Sequence, residues 1–140
     1  MFKGEYNHTL DAKGRIVIPS KVREELGNQF VITKAFDQCL YLFPTESWEK
    51  FVEKINGLPA SKEKVRRVQR RFIGSSWDCE TDKQGRFLIP PKLREYAEIT
   101  KEVVLVGLSD RLEVWSLDKW TEYCNEEDES IDDIAGDLVF

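Results

Sequence analysis

A fourteen-residue phrase occurs twice in this chain. Residues 11–24 and 82–95 share the pattern D-x-x-G-R-φ-φ-I-P-x-K-φ-R-E, where φ is apolar, at an offset of 71 positions. An internal repeat constrains the fold before any propensity does, because whatever one copy forms the other must form too. The likeness runs on past one inserted residue: 31–36 aligns with 103–108, 40–43 with 112–115, Trp48 with Trp120 and Phe51 with Tyr123. Halves of about fifty residues are marginal as independent cores. The three cysteines, Cys39, Cys79 and Cys124, are odd in number and widely spaced. They offer no disulfide framework and are expected to be reduced, buried thiols. The two halves are therefore expected to pack against each other about a pseudo-two-fold axis. That would put Arg15 and Arg86 at equivalent places on one surface.

Within each copy, Asp and Gly are turn formers: Asp closes an Asx turn and Gly supplies a positive φ. The triplets 16–18 and 87–89 read as buried strands, stopped by Pro19 and Pro90. Short helices are expected over 20–26 and 91–97, with Pro91 tolerated at a helix start. Strands are expected near 29–34 and 40–43, and near 102–107 and 112–115. Trp48, Phe51, Val52 and Ile55 recur at i, i+3, i+4 and i+7, one face of a closing helix. Leu117, Trp120 and Cys124 do the same in the second copy, with Ser116 as its N-cap. Between the halves, Asn56-Gly57-Leu58-Pro59 reads as a loop. A linker helix follows, with Ser61 as N-cap and a stripe of Val65, Val68 and Phe72. Six basic residues surround that stripe: Lys62, Lys64, Arg66, Arg67, Arg70 and Arg71. They suit a solvated face, a face for a neighbouring subunit, or a non-specific guide for DNA.

A net charge of −5 argues by itself against a polyanionic partner. Its distribution reverses that. Residues 126–140 hold seven acids and no base, which leaves residues 1–125 at +2. Such a tail is expected to be solvated and disordered, although Leu138, Val139 and Phe140 at its end could dock. Hydrophobic content of 41% beside 34% charged residues fits a soluble globular protein. No apolar run approaches the roughly 20 residues of a membrane span, and the first residues show no secretory signal. The expected setting is cytoplasmic. Catalysis finds no footing. His8 is the one histidine, 74–77 is not a nucleophile elbow, no glycine loop cradles phosphate, and no zinc spacing appears. No catalytic residue, cofactor, metal or small-molecule ligand is expected.

A turn needs its Asp and Gly. It does not need an Arg directly after the Gly, twice over. Arginine's fork suits guanine O6 and N7, and also phosphate. Arg15 and Arg86 are therefore the first candidates for DNA contact, with Lys13 and Lys83 next. Asp11, Gly14, Asp82 and Gly85 are the loop-shaping residues. The turns differ in one respect: Lys13 aligns with Gln84, and Ala12 with Lys83. The two loops need not touch DNA identically.

These residues resemble the MraZ family of bacterial regulators, built from two domains of the AbrB/SpoVT type. The resemblance rests on Met1-Phe2-x-Gly4, on Leu10-Asp11-x-Lys13-Gly14-Arg15, on Pro19 and Arg23, and on Asp82-x-x-Gly85-Arg86 and Pro90, and it covers residues 1–124. It implies intertwined β halves, assembly into a ring-shaped homo-oligomer, and association with the nucleoid. It also implies binding of tandem promoter repeats ahead of the division and cell-wall gene cluster that includes the regulator's own gene. In the family the D-x-x-x-R loops carry the DNA contacts, which here means Asp11 with Arg15 and Asp82 with Arg86.

The expected fold is therefore mainly β with short helices (α+β), as two AbrB/SpoVT-like halves intertwined in a pseudo-two-fold β-barrel with a helical linker. The expected divisions are a first repeat at 1–55, a linker with the basic helix at 56–74, a second repeat at 75–124 and an acidic tail at 125–140. The expected function is sequence-specific regulation of transcription, with repression as the default sign and double-stranded DNA as the partner. Two other classes stay open. One is a protein-interaction scaffold that ignores DNA. The other is an antitoxin-like regulator that captures a partner through its acidic tail.

Overall fold

The computed structural model describes residues 1–126 and 130–139. The first half runs through β1 (Glu5–Thr9), β2 (Arg15–Val17), α1 (Ser20–Leu26), β3 (Gln29–Lys34), β4 (Leu40–Pro44) and α2 (Thr45–Asn56). Helix α3 (Glu63–Phe72) leads into the second half. There the same series recurs as β5 (Trp77–Glu80), β6 (Arg86–Leu88), α4 (Pro91–Tyr96), β7 (Glu102–Gly107), β8 (Leu112–Ser116) and α5 (Leu117–Asn125), before a last helix, α6 (Ile131–Asp137). The prolines set the changes of direction. Pro19 and Pro90 end β2 and β6, and their carbonyls accept the amides of Arg23 and Arg94 to start α1 and α4.

Six strands form one antiparallel sheet in the order β1-β7-β8-β4-β3-β5, while β2 and β6 pair only with each other. Reversing that order while exchanging the halves returns it unchanged. A pseudo-two-fold axis passes between β4 and β8, where Tyr41 faces Glu113, and through the ribbon, where Ile16 faces Phe87. The first strand of each half has crossed over: β1 pairs with β7 of the second half, and β5 with β3 of the first. The halves are intertwined and share one sheet.

The expected barrel is not formed. The sheet is open, with β1 and β5 at its two ends. The strands that might have closed it are the three-residue β2 and β6, cut off by their prolines and committed to each other. The chain is mixed α+β, mainly sheet with several short helices.

The sheet carries apolar side chains on both faces. On one face Phe30, Ile32, Leu40, Leu42, Val103, Leu105, Leu112 and Val114 pack under the ribbon's Ile16, Ile18, Phe87 and Ile89, with Val22, Leu26 and Leu93 from α1 and α4. Phe30 and Phe87 meet edge-on at 5.0 Å. On the other face Tyr41, Phe43, Val104 and Trp115 pack under α2, α3 and α5 through Phe51, Ile55, Phe72 and Trp120.

Several details depart from the sequence reading. Strands β1 and β5 are additions to it, since their polar alternation (Glu5 to Thr9) and short length give little periodic signal. The triplets 16–18 and 87–89 are buried only at their outer positions, and Val17 and Leu88 face solvent. The alignment beyond the helix also slips by one. Val31 lies opposite Phe43, and Val104 lies opposite Trp115, the counterpart of Phe43. The structural partner of Val31 is therefore Val104 rather than Val103, because a longer α4–β7 loop is offset by a shorter β7–β8 turn. Ser61 does not cap the linker helix. Lys62 holds that position without a side-chain cap, whereas Ser116 does cap α5 by accepting the Lys119 amide at 3.3 Å. Cys39 is buried and Cys79 partly so, but Cys124 is exposed. The tail is helical over α6 rather than structureless, with Ser130 accepting the Asp133 amide at 3.1 Å. Residues 127–129 and 140 of that tail lie outside the described residues.

Candidate nucleic-acid interface

Both turns have one geometry. The Asp11 carboxylate accepts the Lys13 and Arg15 amides on Oδ1, each at 2.9 Å, and the Arg15 Nε–H on Oδ2 at 2.7 Å. Asp82 does the same for Gln84 at 2.9 Å, the Arg86 amide at 3.0 Å and the Arg86 Nε–H at 2.8 Å. The Gly14 and Gly85 amides return to the Asp11 and Asp82 carbonyls, each at 3.0 Å. Both glycines sit at positive φ, 80° and 76°, as such a turn demands. One carboxylate thus shapes the loop and aims the arginine. The Arg15 amide is the largest influence holding the Asp11 carboxyl below its ordinary pKa, reinforced by the Arg15 guanidinium and the Lys13 amide. The Arg86 amide leads the same set at Asp82, with the Arg86 guanidinium and the Gln84 amide.

The ribbon then fixes where the arginines point. Ile16 and Phe87 face inward, so their neighbours Arg15, Val17, Arg86 and Leu88 face outward. Arg15 lies opposite Leu88, and Arg86 opposite Val17. The two arginines share one solvent face and are diagonal neighbours across the axis. The ribbon is locked from both ends, with the Ile18 amide donating to the Gly85 carbonyl at 3.0 Å and the Ile89 amide to the Gly14 carbonyl at 3.1 Å. Nε of each arginine is committed to its aspartate. Among the described residues no acceptor takes the Nη groups, which stay available to a ligand. Lys13 and Lys83 are exposed on the turns, one position apart in the two loops.

Two further arginines belong to this arrangement. Arg23 of α1 lies over Gly85, the glycine of the other half's turn, and Arg94 of α4 lies over Gly14. That covering explains why both glycines are buried although each sits in a turn. The Nε of Arg94 is buried with no hydrogen-bond partner among the described residues. The sequence does carry a signal for this pair, since the Arg of K-φ-R-E occurs in both copies. Their meeting with the opposite turn depends on the ribbon, which no local pattern announces. His8 sits on β1 opposite Val103, half-buried, and burial lowers its pKa.

The family model described as "MraZ protein, putative antitoxin-like" matches this chain twice, over residues 1–71 and 72–139. Curated relatives match over nearly the whole chain. The protein named Transcriptional regulator MraZ of Carboxydothermus hydrogenoformans is 48% identical over 139 residues, covering 99% of this chain and 97% of the relative. The proteins of that name from Moorella thermoacetica and Halothermothrix orenii are each 47% identical, covering 99% and 96% of this chain and 97% and 94% of the relatives. With both of its repeats matched and nearly its whole length shared with these relatives, the chain belongs to the MraZ family.

Proposed function

We propose that this protein is a sequence-specific, DNA-binding transcriptional regulator that reads DNA with the exposed face of the β2–β6 ribbon and its two turns. The observation that carries the reading is the placement of Arg15 and Arg86 on one solvent face about the axis, each aimed by its own aspartate. A two-stranded ribbon fits the major groove. There the Nη groups can take guanine acceptors, while Val17 and Leu88, 45% and 49% exposed between them, can meet thymine methyls. Lys13 and Lys83 contact phosphate and fix the register. The names of the relatives support regulation as the role.

The finer reading follows the family. The sites are tandem promoter repeats ahead of the division and cell-wall gene cluster, the regulator's own gene included. The effect is repression, the place of work is the nucleoid, and the working form is a ring in which several weakly bound subunits combine. A mobility-shift titration against the promoter of its own gene tests this, with wild type beside Arg15→Ala/Arg86→Ala at low and physiological salt. A specific, salt-sensitive shift that the double variant loses is the expected result. A folded double variant that binds as wild type would overturn the assignment of the ribbon.

A further inference from the structure

The element series β-β-α-β-β-α-α occurs twice, but its last helices differ: α3 packs on the sheet through Phe72, whereas its counterpart in chain order, the tail helix α6, buries no residue. Beside α3 runs a groove lined by Lys34, Phe36, Arg67, Val68, Arg70 and Arg71. Its floor is apolar, with Phe36 60% exposed and Val68 36% exposed. Its rim is basic. Arg67 is partly answered by Glu63 at 3.3 Å, and Arg71 is tied to the Ala35 carbonyl at 3.3 Å and to Tyr96. Because α3 packs on the sheet face opposite the ribbon, an occupant of the groove would leave the proposed DNA face free.

Helix α6 has the opposite character. Ile131, Ile134 and Leu138 recur at i, i+3 and i+7 and are exposed, while Asp132, Asp133 and Asp137 supply charge around them. No residue of α6 is buried. A helix of about seven residues is far below the length that stands alone in water, so its apolar stripe calls for a surface to pack on.

We propose that the α6 tail of one chain docks in the α3 groove of a second copy. The apolar stripe would cover Phe36 and Val68, and Asp132, Asp133 and Asp137 would meet Arg67, Arg70 and Lys34. Each chain then holds one donor and one acceptor that are different surfaces. Such a contact is heterologous, and repetition either closes a ring or continues as a filament. Closure turns many weak contacts into a stable whole. This inference deepens the assembly part of the proposed function by naming its contact, and it is independent of the DNA part.

The test is mass by analytical ultracentrifugation on full-length chains: wild type, a groove variant (Arg67→Glu/Arg70→Glu) and a tail variant (Asp132→Lys/Asp133→Lys), with circular dichroism to show that each is folded. The expected result is an assembled wild type, two variants that fall to single chains, and reassembly when the two variants are mixed in equal amounts or combined in one chain. The mixture matters because a variant that merely misfolds would not recover. Folded variants that keep the mass of wild type overturn the contact and leave ring assembly standing on another surface. A wild type that is a single chain at tens of micromolar overturns the contact and the assembly reading together, whether the tail then folds onto its own groove or binds another protein.

Discussion

The guanidinium of Arg94 fills the space that a side chain on Gly14 would need, and Arg23 does the same at Gly85. Each turn is thus sealed by an arginine from the other half, and a glycine is required twice over, for its positive φ and for that contact. Gly14→Ala should destabilise the fold by about 1–2 kcal/mol from the backbone alone, with displacement of Arg94 added. Urea unfolding measures it. A methyl group added at Gly136 would meet nothing within 4 Å, so Gly136→Ala in the exposed α6 should leave the midpoint unchanged or raise it slightly.

Asp11 and Asp82 have pKa values held below the ordinary carboxylate range by the amides and guanidinium groups they accept. A carboxyl whose pKa is depressed in the folded state adds stability above its unfolded value, near 3.8, and loses it as pH falls through the folded value. The stability gap between wild type and Asp11→Asn/Asp82→Asn should therefore be full at neutral pH and shrink below about pH 4. Urea midpoints recorded across that range check the sign. A gap that widens on acidification would refute it.

On the proposed reading Lys13 and Lys83 contact phosphate and the arginines contact bases. Replacing either lysine by Ala should weaken binding to operator and unrelated DNA alike, lowering the slope of log affinity against log salt by about 0.9 per lost contact. Arg15→Ala or Arg86→Ala should instead cost roughly 1–3 kcal/mol on the operator and relax its specificity. Because Gln84 stands where Lys13 does, Lys13→Ala and Lys83→Ala need not be equal. Fluorescence-anisotropy titrations at several salt concentrations separate these cases.

The exchanged strands make the halves one cooperative unit. Trp48 reports the first half, and Trp115 and Trp120 the second. Tryptophan fluorescence and far-ultraviolet circular dichroism should give coincident unfolding curves. Phe87→Ala, at the axis, should cost about 3–5 kcal/mol and move both signals together.

The thiols should divide by burial. Burial is the main cause that pushes the Cys79 thiol up to about 12 and the Cys39 thiol higher still, whereas Cys124 is exposed. In native protein at about pH 8, exposure should let one thiol react with a disulfide reagent before the other two, which react only on unfolding. Cys124→Ser should remove the fast phase.

What can be read from the sequence follows the strength of local signals. The doubled D-x-x-G-R phrase locates both turns, because Asx and glycine chemistry is local. Ser116 announces its cap for the same reason. The expectation of both arginines on one surface comes instead from the repeat and the two-fold packing it demands. Strands β1 and β5 escape notice because residues such as Glu5, Asn7 and Thr9 line a polar sheet edge and form a strand only through partners far along the chain. The open sheet, the shift of Val31 onto Val104, and the meeting of Arg23 with Gly85 all depend on strand register between halves. Nothing local encodes that register.

The crossing of β1 and β5 has a further consequence. In a chain carrying a single copy of the phrase, the same exchange would require two molecules to meet, and the ribbon would exist only above their dissociation concentration. Here the segment between the halves makes that meeting intramolecular. The paired turns are therefore present at any dilution, and their formation is a step of folding rather than of association.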